Sequence, residues 1–519
     1  MTIETSNFMK LNLRSRSSSR ERPLTNLQIT NSLIRTNSCN NKKLIDDINL
    51  INPSTSSSSG SYTSSSYTES DSNNNLLIYP KIDSNSEPRR LNATCIKYGE
   101  LVVLGYNGGL KNSNQSRRKS KFVLNRRDLP NGVKPCSQHV LQTQQEADNL
   151  IQKNPNHSVT YTLSRNQTVV VQYTSDDKTD MFQIGRSSES AIDFIVLDTR
   201  VPNLKILNQN QQSTISRFSC RIVVEREYPY TARIYAAGFD ATKRIFLGEK
   251  ATKWTNEKGE MDGVTTNGVL IMHPTNGFIG NDSKSNEWME VSVCGAVFSL
   301  SETRLTPMIS RVQTNNPNKN NILRDGTLID LCGATLLWRS IEGLQKTPTK
   351  HYLDMNLEYL NNLRPQCPVG LKTLVFQTES TPMPSMDTMS SSSSLNSPDR
   401  IPMVYLKCGH VHGNHEWGIK KDNDRECPLC RKVGPYVQLV MGVEPSLYTD
   451  TDFLNMNNLF KPYAFRPCGH MASEKTCKYW SRILVPQGTT QGLNSICPFC
   501  SITLCKEQPY VKLIFQEGV

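Results

Sequence analysis

Near its C-terminus the chain carries the same set of soft ligands twice. The first set is Cys408-Gly409-His410, sixteen residues, then Cys427-Pro428-Leu429-Cys430. The second is Cys468-Gly469-His470, twenty-six residues, then Cys497-Pro498-Phe499-Cys500. Each supplies three thiolates and one imidazole, the ligand complement of a closed, tetrahedral zinc site. Eight ligands predict two Zn²⁺ ions. Protein groups alone complete both sites and no HExxH-like arrangement accompanies them, so the expected role is structural, supplying folding energy to a small, loop-rich domain. Removing the metal is expected to unfold that domain and spare the rest. Which ligands share an ion does not follow from the sequence. Cys367, His412, His415, Cys477 and Cys505 are left over and read as core thiols or surface imidazoles, with Cys367 the first exception to consider because it sits in CPVGL.

Metal is favoured over disulfides by the compartment. The N-terminus, MTIETSNFMKLNLRSRSSSR, has no apolar signal core, and no run of 18 apolar residues predicts a membrane span. A cytoplasmic location is therefore expected, where thiols stay reduced. Fifteen cysteines are present, an odd number, and nine lie from Cys367 onward.

The order Cys-x-His then Cys-Pro-x-Cys is similar to pieces of a RING finger, although an ordinary RING places another Cys-x-x-Cys close behind its Cys-x-His. With CPVGL (367–371), KCGHVHGNHEWG (407–418), ECPLCRKVGPYV (426–437), FRPCGHMASEKTCKYW (465–480) and ICPFC (496–500), the chain resembles the Pellino family from about Cys95 to the end. The resemblance implies a RING-type E3 ubiquitin transferase that binds a ubiquitin-conjugating enzyme and ubiquitin. Such a ligase has no covalent catalytic residue; rate enhancement comes from positioning. Arg431, directly after Cys430, is the candidate linchpin toward ubiquitin, and Val411, Trp417 and Pro428 are candidates for the enzyme-binding surface. The resemblance further implies phosphorylated targets, the interleukin-1-receptor-associated kinases, in Toll and interleukin-1 receptor innate immune signalling.

Upstream the texture is that of a mainly β domain. KYGELVVLGYNGG (97–109), TVVVQY (168–173), MFQIG (181–185), IDFIVL (192–197), CRIVV (220–224), ARIYAAG (232–238) and VSVCGAVFSL (291–300) are short β-rich runs bounded by polar or glycine punctuation, the pattern of a β-sandwich. QHVLQTQQEADNLIQ (138–152) is the one helix expected in this half. Three loops among these strands carry Gly185-Arg186-Ser187, Ile215-Ser216-Arg217 and Thr266-Asn267-Gly268, which resemble the phosphothreonine-reading loops of a forkhead-associated (FHA) domain. A phosphothreonine offers nearly two negative charges and three acceptor oxygens. Arg186 would supply charge, Ser216 and Thr266 hydroxyl donors, Asn267 contacts to peptide backbone, and Arg217 a reserve cation. FHA domains commonly show Ser-Arg-x-His, whereas Ser219 stands here in place of the histidine.

The expected layout is a disordered Ser/Asn-rich extension at 1–94, an FHA-like β-sandwich with an inserted appendage at 95–345, a linker with a Ser-rich loop at 346–403, and a RING-like α+β zinc domain at 404–519. Binding and chemistry would sit in separate domains. Two other readings draw on part of the sequence. The formal charge of +12, with eight basic residues between Lys111 and Lys134, suits a zinc-dependent nucleic-acid binder, but the C-terminal region lacks basic helices and regularly spaced aromatics. A phospho-dependent scaffold without ligase activity is the other.

Overall fold

A computed structural model describes residues 96–108, 119–199, 213–275, 277–279, 287–300, 319–377, 397–421, 424–450, 462–486 and 492–516. The chain divides into units Met1–Glu87 and Pro88–Val519; the description concerns the second. The expected extension at 1–94 and Ser-rich residues 378–396 lie outside the described residues. Among the described residues, no helix is long and apolar enough to cross a membrane.

Two sheets form the sandwich. The larger is antiparallel and runs Val297–Ser299, Met289–Val291, Leu270–Met272, Leu328–Asp330, Thr335–Ser340, Lys97–Val103, Lys121–Asn125. The smaller runs Phe194–Ile195, Thr179–Gly185, Cys220–Glu225, Ala232–Ala236. Leu101, Val103, Ile329 and Leu336 from the first meet Phe182, Ile184, Ile222 and Ile234 from the second in one core. Alternation should leave the opposite face of the larger sheet polar. It does not: Val102, Leu104, Leu270, Met272, Leu328 and Leu337 are buried too, in a second core. The near-continuous apolar run of KYGELVVL belongs to a strand covered on both sides.

A four-stranded sheet, Arg244–Leu247, Ser158–Ser164, Gln167–Asp176, Gly132–Leu141, stands beside the sandwich as its appendage and includes the TVVVQY run, expected as a sandwich strand. The helix expected over 138–152 is shorter than that. It spans Gln144–Lys153, capped by Thr143, whose hydroxyl accepts from Glu146 N at 3.2 Å, while His139, Val140 and Leu141 extend the preceding strand. VSVCGAVFSL likewise holds two strands, turned back between Ser292 and Ala296, where Ser292 N donates to the Ala296 carbonyl at 2.8 Å.

The Cys/His lobe covers the outer face of the larger sandwich sheet. Its two larger sheets are Val411–Gly413, Pro402–Tyr405, Val433–Gln438, Asp424–Glu426, Ile419–Lys421, and Val440–Met441, His470–Ser473, Pro462–Phe465, Tyr510–Lys512. The helix Glu474–Arg482 is capped by Ser473 and buries Cys477 and Trp480. The described part of 346–403 includes the helix Lys350–Asn362, started by the Thr349 cap; its Leu353 and Leu360, with Cys367, Leu374 and Phe376, lie in the same second core as the Cys/His lobe and the sandwich strands. The expectation that metal loss would leave the sandwich intact therefore meets a shared core: unfolding this lobe would strip an apolar sheet face.

Candidate functional site

Each Cys-Gly-His turn follows a strand and reverses sharply. Gly409 N and Gly469 N donate to the carbonyls of Tyr405 and Phe465, both at 2.8 Å. Both glycines have positive φ, +83° and +78°, and a Cβ would stand 2.0 Å from Lys512 O and 2.3 Å from Gln438 O, so no other residue fits. The Cys-Pro-x-Cys loops are a second repeated device. Cys427 N donates to Lys432 O at 3.0 Å and Arg431 N to Cys427 O at 2.7 Å; Cys497 N donates to Ile502 O at 2.9 Å and Ser501 N to Cys497 O at 2.8 Å. The residue after the last cysteine, Arg431 or Ser501, takes a φ of +59°. The loop thereby turns both sulfurs inward.

These turns bring Cys408, His410, Cys427 and Cys430 together, and separately Cys468, His470, Cys497 and Cys500, with all ligand atoms in a group within 4.8 Å of one another. Each repeat keeps its own four. His410 Nδ1 lies 3.2 Å from Cys408 Sγ and 3.5 Å from Cys427 Sγ. Burial pushes the Cys408 thiol up to about 12, while hydrogen bonds from Cys497 and Cys500 hold Cys468 well below the ordinary thiol value. Three thiols and an imidazole crowded in this way fit a Zn²⁺ ion, which would take the thiolates together and release their protons.

The two groups differ in exposure. In the first loop Leu429 is 53 % exposed, with Arg431 exposed beside it and Trp417, Ile419 and Val433 also presenting apolar surface. In the second, Phe499 is 8 % exposed and packs on Tyr448, Phe465 and His470. That loop bonds to the sandwich: Gly105 N donates to Pro498 O at 2.9 Å and Ser501 Oγ to Leu104 O at 2.7 Å. Val411, expected as a surface candidate, is only 1 % exposed and sits in the second core, because its strand pairs with Pro402–Tyr405. Pro428 is half-buried. Leu429, the surface residue sequence reasoning passed over, had a signal: the third position of a Cys-Pro-x-Cys loop lies at its tip.

Of the left-over residues, Cys477 is buried in its helix and burial pushes its thiol well up. Cys505 is half-buried, and its N–H donates to Arg466 O at 3.1 Å. His412, expected as a surface imidazole, is fully buried and gathers with Cys367 and His415.

On the sandwich, three loops meet. Arg186 N and Ser187 N donate to the carbonyls of Ser216 and Arg217, both at 3.2 Å, and Arg186 Nε donates to Ile215 O at 2.7 Å. Asn267 Nδ2 donates to Thr214 O at 2.8 Å and Ser216 Oγ at 3.1 Å. Gly185 permits this approach, since a Cβ there would lie 2.0 Å from Arg217 O. Arg186, Arg217, Thr266 and Asn267 are exposed, and Ser216 is half-buried with its hydroxyl proton left to donate. Beyond its Nε bond, the Arg186 guanidinium has no hydrogen bond or ion pair among the described residues. Ser219, where a histidine is common, is buried and paired through its backbone to Ile184 O at 2.9 Å and Ala237 N at 2.9 Å, so main-chain bonds carry the loop.

Among the described residues of the basic cluster, Lys121, Arg127 and Lys134 face carboxylates, while Lys119 and Arg126 form no ion pair there. Lys121 pairs with Glu100 at 2.9 Å and Glu444 at 3.1 Å, Arg127 with Asp193 at 2.6 Å, and Lys134 with Asp176 at 3.6 Å.

Comparison with known proteins agrees with this division. The family model "Pellino, FHA domain" matches residues 89–356, and "Pellino, RING domain" matches residues 360–519. Among curated relatives, the chain is similar to E3 ubiquitin-protein ligase pellino homolog 2 of Homo sapiens, at 51 % identity over 429 residues, covering 82 % of this chain and 96 % of the relative. It is 50 % identical over 442 residues to Protein pellino of Drosophila melanogaster, covering 84 % and 96 %. E3 ubiquitin-protein ligase pellino homolog 3 of Mus musculus is 48 % identical over 425 residues, covering 81 % and 90 %.

Proposed function

The chain belongs to the Pellino family, and from that premise we propose that it is a RING-type E3 ubiquitin ligase that takes phosphorylated proteins on its FHA loops. The observation carrying the ligase reading is the pair of Cys₃His clusters, one presenting an exposed apolar loop tip at Leu429 and the other fastened to the sandwich. Two zinc ions, held by Cys408, His410, Cys427 and Cys430 and by Cys468, His470, Cys497 and Cys500, would supply folding energy and no reacting group.

The first loop, with Leu429, Trp417 and Ile419, receives the ubiquitin-conjugating enzyme. Arg431, exposed directly behind it, reaches toward ubiquitin and restrains the thioester for attack by a target lysine. Acceleration is a matter of orientation, and no cysteine of this chain forms a thioester. Arg186, Ser216 and Thr266 donate to the phosphate; Asn267, braced on Thr214 and Ser216, holds the loops and contacts the peptide, with Arg217 a further cation. Phosphorylated interleukin-1-receptor-associated kinases, in cytoplasmic Toll and interleukin-1 receptor signalling, are the targets that the family resemblance puts first. A nucleic-acid role draws little support from basic residues that already face carboxylates.

The test is discharge of thioester-bound ubiquitin to free lysine across a panel of conjugating enzymes. Acceleration by the zinc-loaded protein supports the reading. Acceleration of none of them would leave a phospho-dependent scaffold.

A further inference from the structure

The segment that opens the Cys/His lobe copies the build of its two Cys-Pro-x-Cys loops. In CPVGLK, Cys367 N donates to Lys372 O at 2.9 Å and Leu371 N to Cys367 O at 2.8 Å, the same two bonds that close Cys427–Lys432 and Cys497–Ile502. Leu371 takes a φ of +51°, where Arg431 and Ser501 take +59°. The flanking residues pair alike: Gln366 with Thr373, Glu426 with Val433, Ile496 with Thr503. Only the second cysteine is missing, and Gly370 stands in its place. Gly370 N donates to Cys367 Sγ at 3.3 Å.

This loop faces two imidazoles. The ligand atoms of Cys367, His412 and His415 lie within 4.8 Å of one another. Cys367 is 2 % and His412 0 % exposed, and His415 is half-buried. Among the described residues, neither ring nitrogen of either histidine has a hydrogen-bond partner. A buried polar group left unpaired costs about 1–3 kcal/mol, so four such nitrogens in one place call for a ligand. The rings of Tyr405 and Tyr436 flank the histidines, with centroids 5.0 Å from His412 and 5.5 Å from His415.

We infer that Cys367, His412 and His415 hold a third metal ion, Zn²⁺. One thiolate and two imidazoles are borderline ligands that suit zinc over magnesium or calcium. Three protein ligands leave the fourth coordination position to water. The site answers the orphaned nitrogens and explains a Cys-Pro-x-Gly loop folded like its metal-binding neighbours. It ties the segment after the helix Lys350–Asn362 to the strand Val411–Gly413, so the ion staples two parts of the lobe that are distant in sequence.

The test uses the full-length protein, prepared in zinc-supplemented medium and dialysed against zinc-free buffer. Elemental analysis is expected to find three zinc ions per chain, one for each cluster, and two in Cys367→Ser. Two ions in the wild type, or three in the variant, would overturn the inference. Should Cys367→Ser fail to fold, Gly370→Cys decides. A Cβ at Gly370 meets nothing nearer than Cys367 Sγ at 3.8 Å, so the cysteine fits. It supplies the thiolate that the other two loops have, and loss of the third ion to a chelator should slow about tenfold or more. Unchanged chelator kinetics in Gly370→Cys would also overturn the site. Neither readout involves ubiquitin transfer, so failure here leaves the ligase reading standing.

Discussion

The guanidinium of Arg339, at the end of a sandwich strand, donates from Nη1 to the main-chain carbonyl of Ser446 in the Cys/His lobe at 2.6 Å. Arg339 is fully buried. It also bonds Asp325 at 2.9 Å, Gly343 O at 3.1 Å and Thr347 Oγ1 at 2.6 Å, and lies 4.3 Å over the Phe278 ring. One cation thus satisfies acceptors from both lobes. Arg339→Met should leave the Ser446 carbonyl without its donor and Asp325 with the Ser340 N–H, at 2.9 Å, in place of its cation, and destabilise the protein by about 3 kcal/mol, the low end for breaking a buried pair because Asp325 is partly exposed. Urea unfolding with tryptophan fluorescence measures it; a loss under about 1 kcal/mol would show the contact to be dispensable.

The same junction bears on metal removal. Val102, Leu104 and Leu337 on the outer sheet face are covered by the Cys/His lobe, and uncovering apolar surface costs roughly 25 cal/mol per Å². Stripping zinc with a chelator should therefore lower the sandwich's melting temperature and expose a dye-binding surface. A sandwich that melts unchanged after chelation would mean the lobes are energetically independent despite their shared core.

For the phosphate loops, Arg186→Ala should weaken binding of phosphothreonine peptides about tenfold or more, since a charged hydrogen bond contributes roughly 1.5–3 kcal/mol. Asn267→Ala should weaken it less, by releasing the bonds to Thr214 and Ser216 that brace the loops. Calorimetry with paired phosphorylated and unphosphorylated peptides reads both. Equal affinity for the two peptides would reject phosphothreonine recognition by these loops.

How far all this was legible varies with distance along the chain. That eight Cys and His side chains gather in two groups was readable because turn chemistry places them locally. The helix start was readable too: Thr143-Gln144-Gln145-Glu146 has the sequence of a capping box, and Glu146 Oε2 reaches back to the N–H of Gln142, one residue before the cap, at 3.2 Å, yet Val140 and Leu141 satisfy helix and strand patterns alike. VSVCGAVFSL splits because Asp262, thirty residues earlier, takes the Ser292 hydroxyl and Cys294 N–H at the turn. The docking of the two lobes left one trace, a strand apolar on both faces, and nothing local says what covers it. The third cluster was hidden because its histidines and its cysteine come together only in three dimensions, although CPVGLK set beside CPLCRK was a usable sign.

Acid should find a weak point at His157. Burial, with Lys243 and Arg221 adding positive charge, pushes its imidazole down to about 4. The unfolded chain, with an ordinary value near 6.5, takes up this proton first as pH falls. The stability involved is complete above about 6.5 and is lost as pH drops toward 4. His157→Gln should be less stable at neutral pH, lacking the ring contact with Phe239 at 4.7 Å, but its urea midpoint should fall less steeply between those limits. Parallel slopes for the two proteins would assign the acid sensitivity elsewhere.

The two Cys-Pro-x-Cys loops share a backbone and differ in what their tips touch. Leu429 is 53 % exposed, and Phe499 is buried among Tyr448, Phe465 and His470. Truncating Phe499 to Ala empties a packed site and should cost about 3–5 kcal/mol, lowering ubiquitin discharge only through loss of folded protein. Truncating Leu429 to Ala opens no cavity, so stability should change by less than about 0.5 kcal/mol. If the first loop receives the conjugating enzyme, that same change should cut discharge several-fold at subsaturating enzyme, and Arg431→Ala should cut it even at saturation, since an orienting contact to ubiquitin acts after binding. Melting curves and discharge rates on the same preparations give both axes. Leu429→Ala with full activity and an unchanged melt would move the docking surface off this loop.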